Sequence, residues 1–327
     1  MKNRAAFSGS WYSSDSKTLR ERFDILLKSV PEDATVELPL RAAILPHAGL
    51  DFSGPGMAPA FRLVTGDRSI SRVVILAPSH YVGLPPDSLA VEEFSLHQTP
   101  LGDLPGDPRF ASACIAGAAD GTTPFPGIRV ECRNEAIGQE HAIEMFLPFL
   151  RYALPPAGRT TAGRTKEIPV HAVLVGEPTG LTQARRMGGG LLRVLETLDG
   201  PAAADSTLFI ASSDFTHYGA RFRHEPFGLS HGEGSGTRVE ALVRERDGIF
   251  AELAAQVDLA GFFSAIGRYN PTICGRNAIM VLLAIQEIRR RRGRFVRYSN
   301  SNENRAMRPS DSFVGYATVL YGEERLK

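Results

Sequence analysis

The chain has 327 residues, and Lys plus Arg (37) against Asp plus Glu (36) leave a formal charge of +1. With 43% hydrophobic and 22% charged residues it has ordinary globular usage, which excludes a strongly basic nucleic-acid binder and an acidic disordered chain. Its three cysteines, Cys114, Cys132 and Cys274, cannot all pair and are too few for a disulfide scaffold, so reduced thiols and a cytoplasmic location are expected.

No apolar segment follows the positive N-terminus, so no signal peptide is read there. The longest apolar runs fall far short of the ~20 residues of a membrane helix, and no membrane partner is expected. In chain order, helical spacing of Leu19, Phe23, Leu26 and Leu27 predicts a helix over 17–30. Buried strands are predicted at 42–45, ended by Pro46, and at 73–77, ended by Pro78. A short apolar helix follows over 142–150. Residues 155–167 are turn-rich and carry Ala-Gly-Arg-Thr twice, which reads as a loop insertion. Next come a strand at 170–175, a helix over 181–198 and a strand at 207–211. Helices over 238–257 and 276–291 precede a late strand at 313–320. The Arg289–Arg292 run reads as solvated cations at a helix C-terminus.

Strands that are apolar throughout, alternating with helices, predict a sheet covered on both faces. The expected architecture is α/β, three αβα layers around a mostly parallel or mixed sheet, with residues 1–327 forming one domain.

The chemistry is expected where polar groups follow strands. His47 comes two residues after the first strand and His80 three after the second, while Asp214 and His217 follow the strand at 207–211. In open α/β sheets ligands collect at the carboxyl ends of strands, so parallel neighbours would bring these four onto one rim. Cys274 is a fifth group. With Asn270 as N-cap and Pro271 at the first helical position, it would sit in a first helical turn, where the helix dipole favours thiolate. Two imidazoles and one thiolate suit Fe, Cu or Zn with a position left open. No phosphate loop or dinucleotide fingerprint is present. Residues 228–232 match GxSxG without a preceding buried strand. Residues 232–236 read as a flexible loop and candidate lid. Trp11, the only Trp, is read as packing or as a wall of the pocket.

At these residues the chain resembles the Memo family, named for mediator of ErbB2-driven cell motility, whose prokaryotic members are also called AmmeMemoRadiSam system protein B. The resemblance runs through Gly9-Ser10-Trp11-Tyr12, Pro46-His47-Ala48-Gly49, Pro78-Ser79-His80 and Thr99-Pro100-Leu101-Gly102-Asp103. It continues in Glu140-His141-Ala142-Ile143-Glu144-Met145, Ser212-Ser213-Asp214-Phe215-Thr216-His217-Tyr218-Gly219 and Thr272-Ile273-Cys274-Gly275-Arg276. It ends at Asp311-Ser312 and Val314-Gly315-Tyr316-Ala317. It implies a fold like that of the class III extradiol (LigB-like) dioxygenases and a metal site at His47, His80 and Cys274, with Asp214 and His217 close by. Tyr81 stands where many members have His, and Tyr218 where many have Trp. Cys274 replaces the carboxylate of the dioxygenase triad, which argues against ring cleavage.

The resulting expectation is a non-haem metal-binding oxidoreductase with iron as first choice and copper or zinc as alternatives. His47, His80 and Cys274 are the expected ligands. His217 is the expected catalytic acid/base, and Asp214 a fourth ligand or the partner orienting a histidine. Trp11, Tyr81, Glu140, His141 and Tyr218 are expected around the pocket. The expected occupant is a small molecule or peptide, and the family name suggests association with radical-SAM and AMMECR1-like proteins. Two other readings stand beside this one. In the first the cleft is a non-catalytic peptide- or protein-binding scaffold. In the second Cys274 is the nucleophile of a metal-independent hydrolase with His217 as base.

Overall fold

The structure is a computed structural model that describes residues 1–117, 122–154, 167–228, 235–304 and 310–325. Its strands are β1 (Lys2–Asn3), β2 (Ala42–Leu45), β3 (Arg72–Ala77), β4 (Ser88–Val91), β5 (Leu96–His97), β6 (Leu104–Pro105), β7 (Arg129–Cys132), β8 (Val170–Val175), β9 (Thr207–Ser212), β10 (His217–Tyr218), β11 (Arg291–Asn300) and β12 (Phe313–Arg325). The α-helices are α1 (Ser16–Lys28), α2 (Leu50–Gly66), α3 (Arg109–Ile115), α4 (Asn134–Gly138), α5 (His141–Glu144), α6 (Leu147–Ala153), α7 (Leu181–Asp199), α8 (Ser235–Ala255), α9 (Leu259–Tyr269) and α10 (Arg276–Arg289).

One nine-stranded sheet organises the chain in the order β10-β12-β2-β9-β3-β8-β4-β7, with β11 also paired to β12. Its centre, β2-β9-β3-β8, is parallel throughout. Antiparallel pairing of β12 with β2 and of β4 with β8 makes the whole sheet mixed. A smaller three-stranded sheet joins β1, β5 and β6.

Successive side chains of a strand point to opposite faces. Ile44, Val74, Leu76, Phe209 and Ala211 therefore enter a core shared with α3, α7, α8, α9 and α10. Ala43, Leu45, Val73, Ile75 and Ile210 enter a second core with α1, α2, α5 and α6. Helices on both faces give the three-layer αβα arrangement. In α1, Leu19, Phe23 and Leu26 recur at helical spacing on the buried side, and the Asp15 carboxylate caps the helix by accepting from Thr18 N–H at 2.8 Å. Phe23 and Phe61 both stack on Phe149 with centroids 4.2 Å apart, each pair contributing about 1 kcal/mol beyond its buried area.

Several expectations change. The helix read over 142–150 is two, α5 and α6, with Pro148 at the start of α6, where its missing N–H costs nothing. The helix read over 276–291 stops at Arg289, and Arg290 takes the left-handed cap conformation. The arginine run is a solvated helix end only in part: Arg289 and the exposed Arg290 close α10, but Arg291 is buried. Arg291 starts β11, is 1% exposed, and donates to Asp205 at 3.1 Å and to the Gly322 carbonyl at 3.1 Å. Asn270 is the left-handed C-cap of α9, not an N-cap, and α10 starts at Arg276. The repeat at 157–165, most of the GxSxG match at 228–232 and the greater part of the candidate lid lie outside the described residues. Among the described residues no helix is long and apolar enough to cross a membrane.

Candidate metal centre

Parallel pairing of β2, β9 and β3 puts their carboxyl ends at one edge. His47 follows β2, His80 follows β3, and Asp214 and His217 follow β9. All four line one cleft of about 680 Å³, with Trp11, His141, Arg221, Phe222 and Tyr316 among the other walls. His141 reaches it as the first residue of α5, a helix capped by the Glu140 carboxylate through Ala142 N–H.

Ligand atoms of His47, His80 and His141 lie within 4.8 Å of one another, close enough to surround one ion. What each ring can offer follows from its partners. The Ser212 hydroxyl donates to the Ala142 carbonyl at 2.6 Å and so accepts from His47 Nδ1 at 2.6 Å. Glu140 Oε1 accepts from His80 Nδ1 at 2.9 Å, and Oε2 from His80 N–H at 2.7 Å. Both rings thereby carry their proton on Nδ1 and keep the Nε2 lone pair free for a metal. His141 Nδ1 lies 3.2 Å from Glu140 Oε1 and 3.0 Å from the Tyr81 hydroxyl. His217 Nδ1 is held by two carbonyls, Phe215 and Thr272, each at 3.0 Å, which again frees Nε2.

Electrostatics suit cation binding. Burial, together with the nearby His80, His141 and His217, holds His47 well below the ordinary imidazole range, so it is neutral near pH 7. Neutral imidazole is the ligating form. Burial works to push Glu140 up, but bonds from His141 and His80 outweigh it and hold the carboxyl at about 2. Burial raises Asp214, against the pull of His217 and of the His47 N–H that its Oδ1 accepts at 2.8 Å. Asp214 Oδ2 lies 3.9 Å from His47 Nε2.

Cys274 lies in the turn before α10, outside the helix. A side chain at Gly275 would collide with the Ser212 carbonyl and Ser213, so glycine lets this turn close onto the end of β9. Cys274 Sγ faces His47 Nε2 at 3.3 Å and the Asp214 carbonyl at 3.6 Å. Its position beside His47 agrees with the expectation, but the tight three-member group is completed by His141, read from the sequence as a wall. The helix-dipole argument for a thiolate does not apply, because Cys274 lies outside α10. Burial, then the Asp214 charge, push the thiol up.

The remaining residues sort as follows. Trp11 lies against His141 with ring centroids 4.5 Å apart. Tyr81 is 52% exposed and touches the site through His141. Glu140 is buried behind His80 and does not line the cleft. Tyr218 does not line it either. It follows His217 in β10, so its side chain takes the other face, stacking on Phe313 and donating to the Gly228 carbonyl at 2.5 Å. The expectation missed Ser212, Tyr316 and Glu144. Glu144 accepts from Ala6 N–H, Phe7 N–H and the Tyr12 hydroxyl, and so binds the N-terminal segment that carries Trp11. All three lie inside or beside the quoted motifs, yet only their partners disclose their roles.

An α/β sandwich with a histidine cluster at the carboxyl edge of its parallel strands defines the class, a protein whose cleft could hold a metal. The Memo-like protein family matches residues 3–320. Protein MEMO1 of Homo sapiens is 31% identical over 319 residues, covering 96% of this chain and 95% of the relative. Protein MEMO1 of Danio rerio is 32% identical over 320 residues, with the same coverage. The memo-1 homolog of Caenorhabditis elegans is 30% identical over 325 residues, covering 97% and 82%. The chain belongs to the Memo family.

Proposed function

We propose that this protein binds one transition-metal ion, iron before copper or zinc, and works as a non-haem oxidoreductase. The supporting observation is the convergence of His47, His80 and His141, with Nδ1 of the first two fixed by hydrogen-bond acceptors. A bound ion would supply Lewis-acid or redox chemistry at the cleft. His47 and His80 would hold it, with Cys274 beside His47 and His141 as a further donor. Ser212 and Glu140 fix the rings. His217 exchanges protons with the occupant through Nε2, and Asp214 orients groups around His47. Three parallel strands, β2, β3 and β9, presenting the site at their carboxyl ends support likeness to the class III extradiol (LigB-like) dioxygenases. The occupant is a small molecule or a peptide, and functional association with radical-SAM and AMMECR1-like proteins remains part of the proposal.

The test is metal content of untagged protein purified without oxygen, for wild type, His47→Ala, Cys274→Ala and His141→Ala. Near-stoichiometric iron or copper, lost in His47→Ala, is expected. Loss in Cys274→Ala assigns the thiolate as third ligand, and loss in His141→Ala alone assigns the imidazole. Wild type that takes up no metal on reconstitution overturns the proposal and leaves a scaffold whose cleft binds a peptide or a partner protein.

A further inference from the structure

Behind the wall that carries Asp214 and His217 lies a carboxylate with no part in the cleft. Asp247 of α8 is fully buried. Its Oδ1 accepts from the Thr216 hydroxyl at 2.5 Å, and both oxygens lie 3.3 Å from Thr216 N–H. Its Oδ2 accepts from the Tyr298 hydroxyl of β11 at 2.7 Å. The backbone at Gly315 of β12 closes the same spot, since a side chain there would collide with Asp247 Oδ2. Gly315 also brackets the segment by accepting from Phe215 N–H at 2.8 Å and donating to the Thr216 carbonyl at 2.9 Å.

Thr216 leads directly to the site. The next residue, His217, donates its N–H to Thr272 Oγ1 at 2.9 Å, and its ring is held by the Phe215 and Thr272 carbonyls. Asp247 therefore grips, at Thr216, the short segment between Asp214 and His217, the two residues that line the cleft. All of its partners are donors, so the ionised carboxylate satisfies every one of them. Protonation leaves one hydroxyl without its acceptor in a dry environment, where a missing bond is expensive.

We propose that Asp247 is a positioning residue for His217, setting through Thr216 where the imidazole stands in the cleft. Burial holds its carboxyl up at about 6, despite the bonds from Thr216 and Tyr298. The groups facing it are Tyr298 and Thr216, with Arg246 next to it on α8. Beyond Tyr298 lie Arg244 and Glu303, which pair at 2.9 Å. The state of this clamp thus changes near neutral pH. The proposal rests on the cleft reading only in taking the place of His217 to matter.

The test uses the 15N-labelled full chain without added metal or substrate, so it stands apart from the metal-content experiment. The Thr216 amide and the imidazole resonances are followed from pH 5 to 8 for wild type and Asp247→Asn, with His171, buried against Phe110 of α3, as the internal control. In wild type the Thr216 amide, 3.3 Å from the carboxylate, should report an inflection near pH 6 that Asp247→Asn abolishes, and the His217 signals should be displaced in that variant, with His171 unchanged. If Asp247→Asn does not fold, Tyr298→Phe serves. The Tyr298 bond stabilises the carboxylate, so its loss should move the inflection to higher pH. His217 signals that coincide in wild type and Asp247→Asn, or an inflection unmoved in Tyr298→Phe, overturn the proposal.

Discussion

Replacing Glu140 with Gln tests how the histidines are held. Glu140 is 1% exposed and faces His80 N–H, His80 Nδ1, His141 Nδ1 and Ala142 N–H. Gln keeps the volume but substitutes a donor for one acceptor, setting N–H against N–H in a buried place. The magnitude follows from the titration. The carboxyl stands at about 2 against an ordinary 4.5, and at about 1.36 kcal/mol per pH unit that displacement is worth about 3 kcal/mol. Because the folded value is depressed, the contribution is complete above pH 4.5 and drains away as pH falls toward 2. Urea unfolding should therefore show Glu140→Gln about 3 kcal/mol less stable at pH 7, with about 2 kcal/mol of the gap gone by pH 3. Metal affinity should fall roughly 10- to 100-fold, the usual effect of removing the group that orients a ligating histidine. A stability gap that stays constant from pH 7 to pH 3 would refute the argument, because Glu140 would then not be the titrating anchor.

Trp11 makes the site visible, because it is the sole tryptophan and its ring lies 4.5 Å from His141. Copper titration should quench its emission at one equivalent in wild type and much less in His141→Ala; unchanged wild-type emission at saturation would place metal elsewhere. In the arginine run, Arg291→Ala removes a buried side chain and its bonds to the Gly322 carbonyl and to Asp205, which keeps Arg289, and should cost about 1–3 kcal/mol in chemical denaturation. Exposed Arg292→Ala should change stability by less than ~0.5 kcal/mol, and equal losses in both variants would contradict the buried placement.

Central strands and long helices were legible because apolar runs and helical spacing report burial directly. The strands at 42–45, 73–77, 170–175 and 207–211 match β2, most of β3, β8 and most of β9, and the carboxyl ends of β2, β3 and β9 carry His47, His80 and Asp214. Helix α2 was not legible. Gly54, Pro55, Gly56 and Pro59 read as breakers, and tertiary packing in the core overrides that preference. The dipole argument for Cys274 failed because Asn270, a good N-cap by type, is equally suited to a left-handed helix end, and it closes α9 instead. Choosing between Cys274 and His141 depends on distances between segments more than 100 residues apart, which no local pattern encodes. Tyr218 was misplaced because β10 is only two residues long, too short for alternation to show in the sequence.

The position of β12 has a consequence for how the protein is made. It follows every other strand among the described residues, yet it fills an interior place between β2 and β11 and supplies Tyr316 to the cleft. A ribosome-bound chain therefore has β2 with an open edge, and His47 at its end, until residues 313–325 emerge. The histidines exist in sequence long before they exist as a cage. On the proposed reading, an ion captured earlier would be held by loose imidazoles alone, and tight loading would wait for β12 to lock in, at the close of a fold dominated by long-range pairing.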